Sequence, residues 1–289
     1  MARTEQLTIA VAGATGRLGS PVARRLIERG HRVRALSRSE GGPGWVHGDL
    51  DDPASLQAAF EGVDAVFASG TAHRVGPTGE ARHGYALAEA ASAAGVPHLV
   101  YVSGAGAEQP TSVPVFESKR AVEQRIAELG VPATILAPVY FMENAFNPWN
   151  LPALTRRRFP LPLRGDRVLQ QVAIEDIAAF AVKVLERGAQ FVGRRIELAS
   201  DALTGEEAAA TIGYEFEQLP LDGFPPPLRL LFEWLDEGGT SVDIEALQRG
   251  HADIAWHSFE RWAAAQEWPG GATTSSYTRA MRSASAGHE

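Results

Sequence analysis

Three evenly spaced glycines near the start of the chain could bind a phosphate group. Gly13, Gly16 and Gly19 lie between a β-prone run at residues 7–12 and a helical pattern at residues 18–29. Such a turn lets backbone N–H groups approach a pyrophosphate, and the dipole of the following helix attracts its negative charge. A tight turn that binds nothing is the alternative. We favour dinucleotide binding because this strand–turn–helix context recurs in the dinucleotide-binding folds.

The residues at the end of the second predicted strand bear on the choice between NADP(H) and NAD(H). NAD(H) sites place an acidic residue there, about 20 residues after the glycines, to bind the ribose 2′-hydroxyl. This chain has Ser37 and Arg38 there, with no acid before Glu40. A guanidinium can pair with the 2′-phosphate of NADP(H) and stack on adenine, and Arg17 could add a second positive charge. The sequence therefore favours NADP(H), with a solvated Arg38 as the alternative.

Small and polar residues after two other predicted strands could line the same cofactor. After the third strand, Asp49 could accept a hydrogen bond from the adenine amino group while Leu50 packs near the ring. After the fourth strand, Ser69 and Gly70 are small enough for the cofactor to pass close to the backbone. These residues extend the predicted cofactor site along the strand ends.

Strands and helices alternate along the part of the chain that carries these residues. β-Prone runs occur at residues 7–12, 32–37, 45–47, 65–68, 98–102 and 133–137, and helical patterns at residues 18–29, 53–60, 82–94 and 117–129. This alternation predicts an α/β fold, a doubly wound parallel sheet of the Rossmann type. Ligands of such sheets bind beyond the carboxyl ends of the strands, at the switch point in strand order. We expect the candidate residues to meet there, with Asp51 or Asp52 capping the helix at 53–60.

The second half of the chain is interrupted by prolines and is less regular. We predict strands at residues 168–172, 195–198 and 214–219, and helices at residues 174–186, 204–212, 228–236 and 258–265. Glu175 and Asp176 are expected to cap the helix at 174–186. We divide the chain into a NAD(P)-binding Rossmann domain (residues 1–150) and a smaller C-terminal α/β substrate lobe (residues 151–289), interleaved with the sheet.

The composition excludes several classes of protein and site. Hydrophobic residues make up 45% and charged residues 21% of the chain, which excludes a disordered chain or a coiled coil. The absence of cysteine excludes disulfides, thiolate catalysis and cysteine-ligated metal centres. The histidines show no metal-ligand spacing with carboxylates, so we expect no metal.

Charge and hydropathy bear on partners and location. With 27 basic and 35 acidic residues the net charge is −8, which argues against direct nucleic-acid binding. No apolar run approaches the ~20 residues of a membrane span, and no signal peptide is evident, so we expect a cytoplasmic protein that binds no membrane. Only two lysines, Lys119 and Lys183, accompany many Ala, Gly and Arg residues. This composition is typical of high-GC bacterial genomes.

Several segments resemble the atypical short-chain dehydrogenase/reductases and, within them, the NmrA-like family. The matching segments are residues 13–19, 102–105, 118–123, 129–136 and 138–144, and residues 172–178 and 258–262 look like the family's later elements. The resemblance covers most of the chain. It implies a NAD(P)-binding Rossmann fold with a small C-terminal lobe. It also implies a quinone or enone reductase, a polyketide-tailoring enzyme or a redox sensor.

The resemblance further implies a catalytic set from which one member is missing. The superfamily's pattern is Tyr-x-x-x-Lys with an upstream serine. Lys119 and Ser103 take the lysine and serine positions, but Val115 stands in the tyrosine's place. Lys119 would bind the nicotinamide ribose and polarise a nearby oxygen, unless it merely begins a surface helix. Without a proton donor, carbonyl reduction slows by about 10²–10⁴-fold, and Tyr140 could serve as the acid instead, with packing as its alternative.

Residues near the ends of the fourth and sixth strands could meet a substrate. His73, Phe141 and Asn144 would face it, with a solvated loop position as the alternative for His73. Four aromatic residues suggest a lining for a flat apolar molecule, although core packing explains them equally well: Phe141, Phe146, Trp149 and Phe159.

These observations favour an NADP(H)-dependent oxidoreductase that acts on a quinone-like or polycyclic aromatic substrate, such as a polyketide. A quinone accepts hydride into an aromatising system, so a weak proton donor or water suffices. The alternative is a regulatory protein that senses NADP without turnover, which Val115 favours and the aromatic lobe opposes. The expected partner is a small aromatic molecule, and the sequence leaves a homodimer open.

The candidate site residues fall into three groups. The catalytic candidates are Lys119, Tyr140 and Ser103, and the substrate-binding candidates are His73, Phe141 and Asn144. The cofactor-binding candidates are Gly13, Thr15, Gly16, Arg17, Leu18, Gly19, Ser37, Arg38, Asp49, Leu50, Ser69, Gly70, Lys119, Val139 and Tyr140.

Overall fold

Strands and helices alternate through the first half of the computed structural model, which describes residues 6–38, 42–70 and 72–270, without the side chains of residues 72–74. In chain order the elements are β1 (Thr8–Val11), α1 (Gly19–Glu28), β2 (Arg32–Ser37), β3 (Trp45–His47), α2 (Pro53–Phe60), β4 (Ala65–Ser69), α3 (Ala72–Ala93), β5 (Leu99–Val102), α4 (Pro114–Glu128) and β6 (Ala133–Pro138). The second half adds β7 (Tyr140–Phe141), α5 (Leu151–Thr155), β8 (Arg158–Leu161), β9 (Val168–Val172), α6 (Ile174–Glu186), β10 (Arg195–Leu198), β11 (Asp201–Thr204), α7 (Gly205–Thr211), β12 (Glu215–Gln218), α8 (Pro226–Glu237), α9 (Ile244–Gly250) and α10 (Phe259–Ala264).

Within the described residues, seven parallel strands form the main sheet in the order β10-β6-β5-β4-β1-β2-β3. The strand order reverses beside β1, so a switch point lies between the carboxyl ends of β1 and β4. This confirms the doubly wound parallel sheet of the Rossmann type. The second half of the chain supplies the edge strand β10, which pairs with β6. The domain boundary at residue 150 stays a prediction.

Helices cover both faces of the main sheet. On one face, α1 and α6 pack together over a core that includes Val22 and Phe180. On the other face, α2, α3 and α4 pack over a core that includes Leu56, Leu87 and Val122. Parallel strands are commonly buried on both faces in this way. The strand ends are therefore where polar side chains of the sheet can meet a ligand.

A third core belongs to the second half of the chain. Two small sheets, β11-β9-β7 and β12-β8, border it. Phe159, Phe259 and Trp262 are buried in it with their rings in contact. Phe159 is thus a core residue and not a substrate lining. Trp149 is 43% exposed and lies edge-on to Phe224.

The differences from the predicted elements have local causes. α3 begins at Ala72, whereas the predicted helix begins at residue 82. The helix is broken at Gly76 (φ 69°) and resumes with Pro77, and this interruption hides its first part from the sequence pattern. Glycine followed by proline indicates a loop in sequence. α4 begins at Pro114, since proline suits the first turn of a helix. The unpredicted strands β7, β8 and β11 have two to four residues, too few for a period to show.

Asp51 and Asp52 have different roles, although either was expected to cap α2. Asp52 caps the helix by accepting the N–H of Ala54 at 3.2 Å. Asp51 instead forms an ion pair with Arg82 of α3 at 2.7 Å. That pair links the loop after β3 to α3.

The prediction that Glu175 and Asp176 cap α6 is wrong. Both lie inside the first turn of the helix. Glu175 forms ion pairs with Arg24 and Arg25 of α1 at 2.5 and 2.7 Å, and the buried Asp176 accepts the backbone N–H of His257 at 2.9 Å. These carboxylates therefore bind neighbouring parts of the chain and do not accept the free N–H groups at the start of α6.

No helix in the described ranges is long and apolar enough to cross a bilayer. Among the same residues, no three His, Asp or Glu side chains come together as a metal ion would require.

Candidate functional site

The glycine turn is a tight loop between β1 and α1. Gly13 has φ 79°, a conformation that favours glycine, and its carbonyl accepts the N–H of Gly16 at 2.8 Å. At Gly19 a Cβ atom would lie 2.1 Å from the Gly13 carbonyl oxygen, so only glycine lets α1 approach the turn. Thr15, Gly16 and Arg17 are exposed, and no described side chain caps the N-terminus of α1. The outer side of the turn therefore presents bare backbone at Gly13 and Gly16, beside the exposed side chains of Thr15 and Arg17.

The switch point brings the turn beside the end of β4. A Cβ atom on Gly13 would lie 3.1 Å from the Oγ atom of Ser69. Leu18 and Val139 are nearly buried in the core below. Their side chains therefore pack in the core and offer little surface to a ligand at the sheet edge.

A buried ion pair lies beside the ends of β4 and β5. The Lys119 ammonium of α4 lies 2.8 Å from Glu80 Oε1 of α3, with the two side chains 14% and 1% exposed. Ser118 donates its hydroxyl to Glu80 Oε2 at 2.7 Å. A Cβ atom on Gly70 would lie 2.9 Å from Lys119 Nζ, and one on Gly104 would lie 3.4 Å from Lys119 Cδ. Lys119 thus occupies space that Gly70 leaves open at the sheet edge, and it packs within ordinary contact distance of Gly104.

Glu80 is a site residue that sequence reasoning misses, because the predicted helix begins only at residue 82. In the structure it shares the buried face of α3 with His83 and Leu87, at helical spacing. A carboxylate on the apolar face of a helix requires a partner. That spacing is the signal that could have found Glu80.

Ser103 belongs to a hydrogen-bond network after β5. Its hydroxyl donates to Glu123 of α4, whose second carboxylate oxygen accepts Arg195 Nε at 3.1 Å. Arg195 also donates to the carbonyl of Gly104 at 2.9 Å. The network fixes the loop after β5, since each member is tied to a different element. A catalytic role of Ser103 stays a prediction.

Tyr140 and Glu143 lie near Arg17 of the glycine turn. Tyr140 is half-buried; burial raises the pKa of its phenol, and the charge of Arg17 acts in the opposite direction. Glu143 accepts the N–H of Ile174, the first residue of α6, at 3.0 Å and the indole N–H of Trp262 at 3.1 Å. Burial raises the pKa of Glu143 against the effect of these hydrogen bonds. A phenol with a raised pKa is a weak acid at neutral pH.

The predicted substrate-binding residues have different surroundings. Asn144 is half-buried, and its carbonyl accepts the side-chain N–H of Asn150 at 3.0 Å. Phe141 packs half-buried against the core under α1 and α6. The side chain of His73 lies outside the described residues. Arg17 lies 3.4 Å from the Oδ1 atom of Asn147, so the glycine turn reaches the segment that carries Asn144.

The predicted adenine end lies at the ends of β2 and β3. Ser37 ends β2, and the next residue, Arg38, is exposed; no ion pair among the described residues includes Arg38. The N–H of Asp49 donates to Ser55 Oγ at 2.9 Å, so the backbone there is already bonded. Leu50 packs half-buried against the core under α2 and α3.

An apolar cluster surrounds the position where the superfamily places its tyrosine. Val115, Phe116, Leu231 and Trp234 form this cluster, the first two from α4 and the last two from α8. The rings of Phe116 and Trp234 meet edge to face with centroids 4.9 Å apart. Lys119 follows Phe116 by one turn of α4. The lysine and the apolar cluster therefore lie close together along α4.

Two sequence relatives of the chain are reductases that match more than two thirds of its length. The (4-alkanoyl-5-oxo-2,5-dihydrofuran-3-yl)methyl phosphate reductase of Streptomyces griseus is 34% identical over 247 residues, 78% of this chain and 84% of that protein. The NAD(P)H azoreductase of Xenophilus azovorans is 31% identical over 214 residues, 71% of this chain and 72% of that protein.

Solved structures share the fold at lower identity. The Citrobacter triphenylmethane reductase complexed with NADP(H) aligns with TM-score 0.75 and 23% identity, covering 89% of this chain and 100% of that one. The Escherichia coli NADPH-dependent quinone oxidoreductase complexed with NADPH gives 0.74 and 24%, covering 89% and 98%. NmrA, a negative transcriptional regulator, in complex with NADP gives 0.71 and 21%, covering 90% and 95%. The profile of the NmrA-like family matches residues 5–218, and the chain therefore belongs to this family.

Proposed function

We propose that the protein is an NADP(H)-dependent oxidoreductase that reduces a conjugated acceptor of the quinone-like or polycyclic aromatic class. One observation carries this proposal. Lys119 is fixed at the strand ends near the glycine turn, while an apolar cluster containing Val115 occupies the place of the superfamily's phenol. The first feature suits a nicotinamide cofactor, and the second suits an acceptor that needs no strong acid.

The glycine turn fits the pyrophosphate of a dinucleotide. Gly13 and Gly16 are exposed there without side chains, and the N-terminus of α1 has no side-chain cap among the described residues. Two similar structures were solved with NADP(H) or NADPH, which supports the same class of cofactor here. The exposed guanidinium of Arg38 would pair with a 2′-phosphate, and that of Arg17 would add positive charge. We therefore propose NADP(H) rather than NAD(H).

The nicotinamide end of the cofactor would lie at the ends of β4, β5 and β6. Lys119 Nζ lies there beside Gly70 and would donate to the ribose hydroxyls. The backbone of Val139 and the side chain of Tyr140 would border the opposite side. When bound, NADPH supplies the hydride.

The acceptor would lie between the apolar cluster and the segment after β7. The half-buried Trp234, held edge to face against the buried Phe116, would contact a flat substrate, and Asn144 would supply a polar contact. Tyr140 is a weak acid because burial raises its pKa. A conjugated acceptor spreads the incoming negative charge over several atoms, so water can supply the proton. Quinones and azo compounds, which the relatives' names include, share this property.

A regulatory role without turnover is the second candidate. Val115 in place of tyrosine favours it, as does the fold shared with NmrA, a negative transcriptional regulator. A sensor would bind NADP(H) at the same turn and change its affinity for a partner protein. The two candidates therefore differ in turnover and agree in cofactor binding.

Two measurements on the purified chain decide between these candidates. Calorimetry with NADPH and NADH tests cofactor binding, and the loss of nicotinamide absorbance with a panel of quinones, azo dyes and simple ketones tests turnover. We expect tight NADPH binding, with quinones or azo dyes reduced faster than ketones. Tight binding without oxidation by any acceptor would establish the sensor instead. Fast ketone reduction would contradict the absence of a strong acid, with Tyr140 then the first residue to replace.

A further inference from the structure

We infer that Glu80 is a positioning residue, which fixes the Lys119 ammonium at the nicotinamide end of the site and balances its charge. The inference rests on the proposed function only for the identity of the ligand that Lys119 meets. The pairing itself is a property of the free protein. It gives a buried carboxylate on α3 a role beyond packing.

The geometry of the pair leaves the carboxylate little freedom. One oxygen of Glu80 accepts from Lys119 at 2.8 Å and the other from Ser118 at 2.7 Å, so consecutive residues of α4 occupy both oxygens. A Cβ atom on Gly70 would lie 2.0 Å from Glu80 Oε1. Gly70 therefore lacks a side chain because the carboxylate fills that space, which is a reason independent of any cofactor.

Burial explains why the ion pair orders the lysine. A carboxylate that is 1% exposed has lost its water and is strongly destabilised without a cation. The neighbouring Tyr101 phenol is also buried and has no hydrogen-bond partner among the described residues, and burial together with the charges of Glu80 and Glu123 raises its pKa. Among the described residues, Lys119 is the one cation that forms an ion pair with Glu80.

The pairing determines what Lys119 can offer a ligand. An ammonium has three N–H donors; one is used by Glu80, and two remain for ribose hydroxyls. Because the carboxylate balances the positive charge, Lys119 would act as an oriented donor and would polarise a substrate oxygen only weakly. This fits an acceptor that needs no strong electrophile.

The lysine content of the chain makes the pairing directly measurable. Lys119 and Lys183 are the only lysines, so protein labelled with ¹⁵N-lysine gives two side-chain ammonium signals in an NMR spectrum. Lys183 lies 3.0 Å from His251 Nδ1 and pairs with Asp253, which makes it an internal control. A Lys119→Met variant assigns the signals. We expect a sharp Lys119 signal in the free protein that shifts with NADP⁺, while the Lys183 signal does not move.

Replacing Glu80 by its isostere should release the lysine without deleting it. In Glu80→Gln we expect the Lys119 signal to broaden through exchange with water while the Lys183 signal stays sharp, which also shows that the variant is folded. With a quinone acceptor, kcat should fall about 10- to 100-fold through loss of orientation, with the NADPH dissociation constant changed less than about 3-fold. Glu80→Asp should recover part of the rate. The control is Glu89→Gln. Glu89 lies on α3, as Glu80 does, and forms an exposed ion pair with Arg125 of α4, so this variant should behave as wild type.

A second variant disturbs the same ion pair and keeps the test decisive if Glu80→Gln does not fold. Gly70→Ala places a methyl group where the carboxylate lies and removes no charge, so it should broaden the Lys119 signal as Glu80→Gln does. A Lys119 signal that remains sharp and responds normally to NADP⁺ in Glu80→Gln, or in Gly70→Ala if the former does not fold, would overturn the inference. If wild type binds no NADP(H), the proposed function is refuted. The sharpness of the Lys119 signal in the free protein would still test the pairing with Glu80.

Discussion

Arg38 stands at the position where a single side chain would distinguish NADP(H) from NAD(H). It is exposed at the end of β2 and takes part in no ion pair among the described residues. We expect Arg38→Ala to weaken NADP(H) binding by about 1.5–3 kcal/mol, or roughly 10- to 150-fold, and NAD(H) binding much less. Calorimetry with both cofactors measures the difference, with Arg249→Ala on α9 as the control. Equal losses for the two cofactors would show that Arg38 does not contact the phosphate.

Gly16 tests the turn itself. A Cβ atom there would lie 3.1 Å from the Gly13 carbonyl oxygen, so the backbone must shift only slightly and the variant should fold. We expect Gly16→Leu to abolish measurable NADPH binding, because the side chain would fill the space of the pyrophosphate. Gly223→Leu, at an exposed glycine with open space around it, is the matched control. Wild-type affinity in folded Gly16→Leu would remove the turn from the cofactor site.

Helix α8 is the element whose contribution to the site is most specific to the acceptor. It brings Leu231 and Trp234 onto Val115 and Phe116. We expect Trp234→Ala to raise KM for quinones by about 2- to 10-fold, the equivalent of one aromatic contact of about 0.5–1.5 kcal/mol. The NADPH dissociation constant should not change. An unchanged KM would show that the acceptor binds away from α8.

At the scale of elements, sequence predicted the sheet better than the site. The helices around the sheet are amphipathic and the buried strands are apolar. The spacing of apolar residues therefore predicted most of these helices and strands. α3 was placed too late because Gly76 and Pro77 interrupt its pattern. Glu80 was missed for the same reason, and its partner is defined only by tertiary packing. The prediction that Glu175 caps α6 was wrong for a similar reason. Its ion-pair partners, Arg24 and Arg25, lie on α1, far away in sequence.

One buried histidine should contribute to the pH dependence of the stability of the whole molecule. His98 Nε2 lies 2.8 Å from Thr134 Oγ1, which donates to the Phe191 carbonyl, so Nε2 carries the hydrogen. Its Nδ1 has no partner among the described residues, and burial lowers the pKa of His98 to about 4 from 6.5. Between these values the unfolded chain binds the proton and the folded chain does not, so stability is full above 6.5 and falls as pH falls toward 4. His98 should contribute at most about 1.4 kcal/mol per pH unit to this slope.

Urea unfolding across that pH range measures this effect. In His98→Gln, whose amide can still donate to Thr134, the slope between pH 4 and 6.5 should become shallower. The exposed His47→Gln variant should keep the wild-type slope. Identical slopes in wild type and His98→Gln would place the pH dependence elsewhere.

The edge strand β10 and the helix α6 have a consequence for how the chain is made. A ribosome releases the first six strands of the sheet before either of these elements exists. Until residues 174–198 emerge, β6 is an open edge, and the apolar face of the sheet that α1 and α6 share is covered by α1 alone. The nascent chain therefore passes through a period in which its sheet is nearly complete and still prone to association. The last residues that close this period lie close to the end of the family match, well after the cofactor turn has been synthesised.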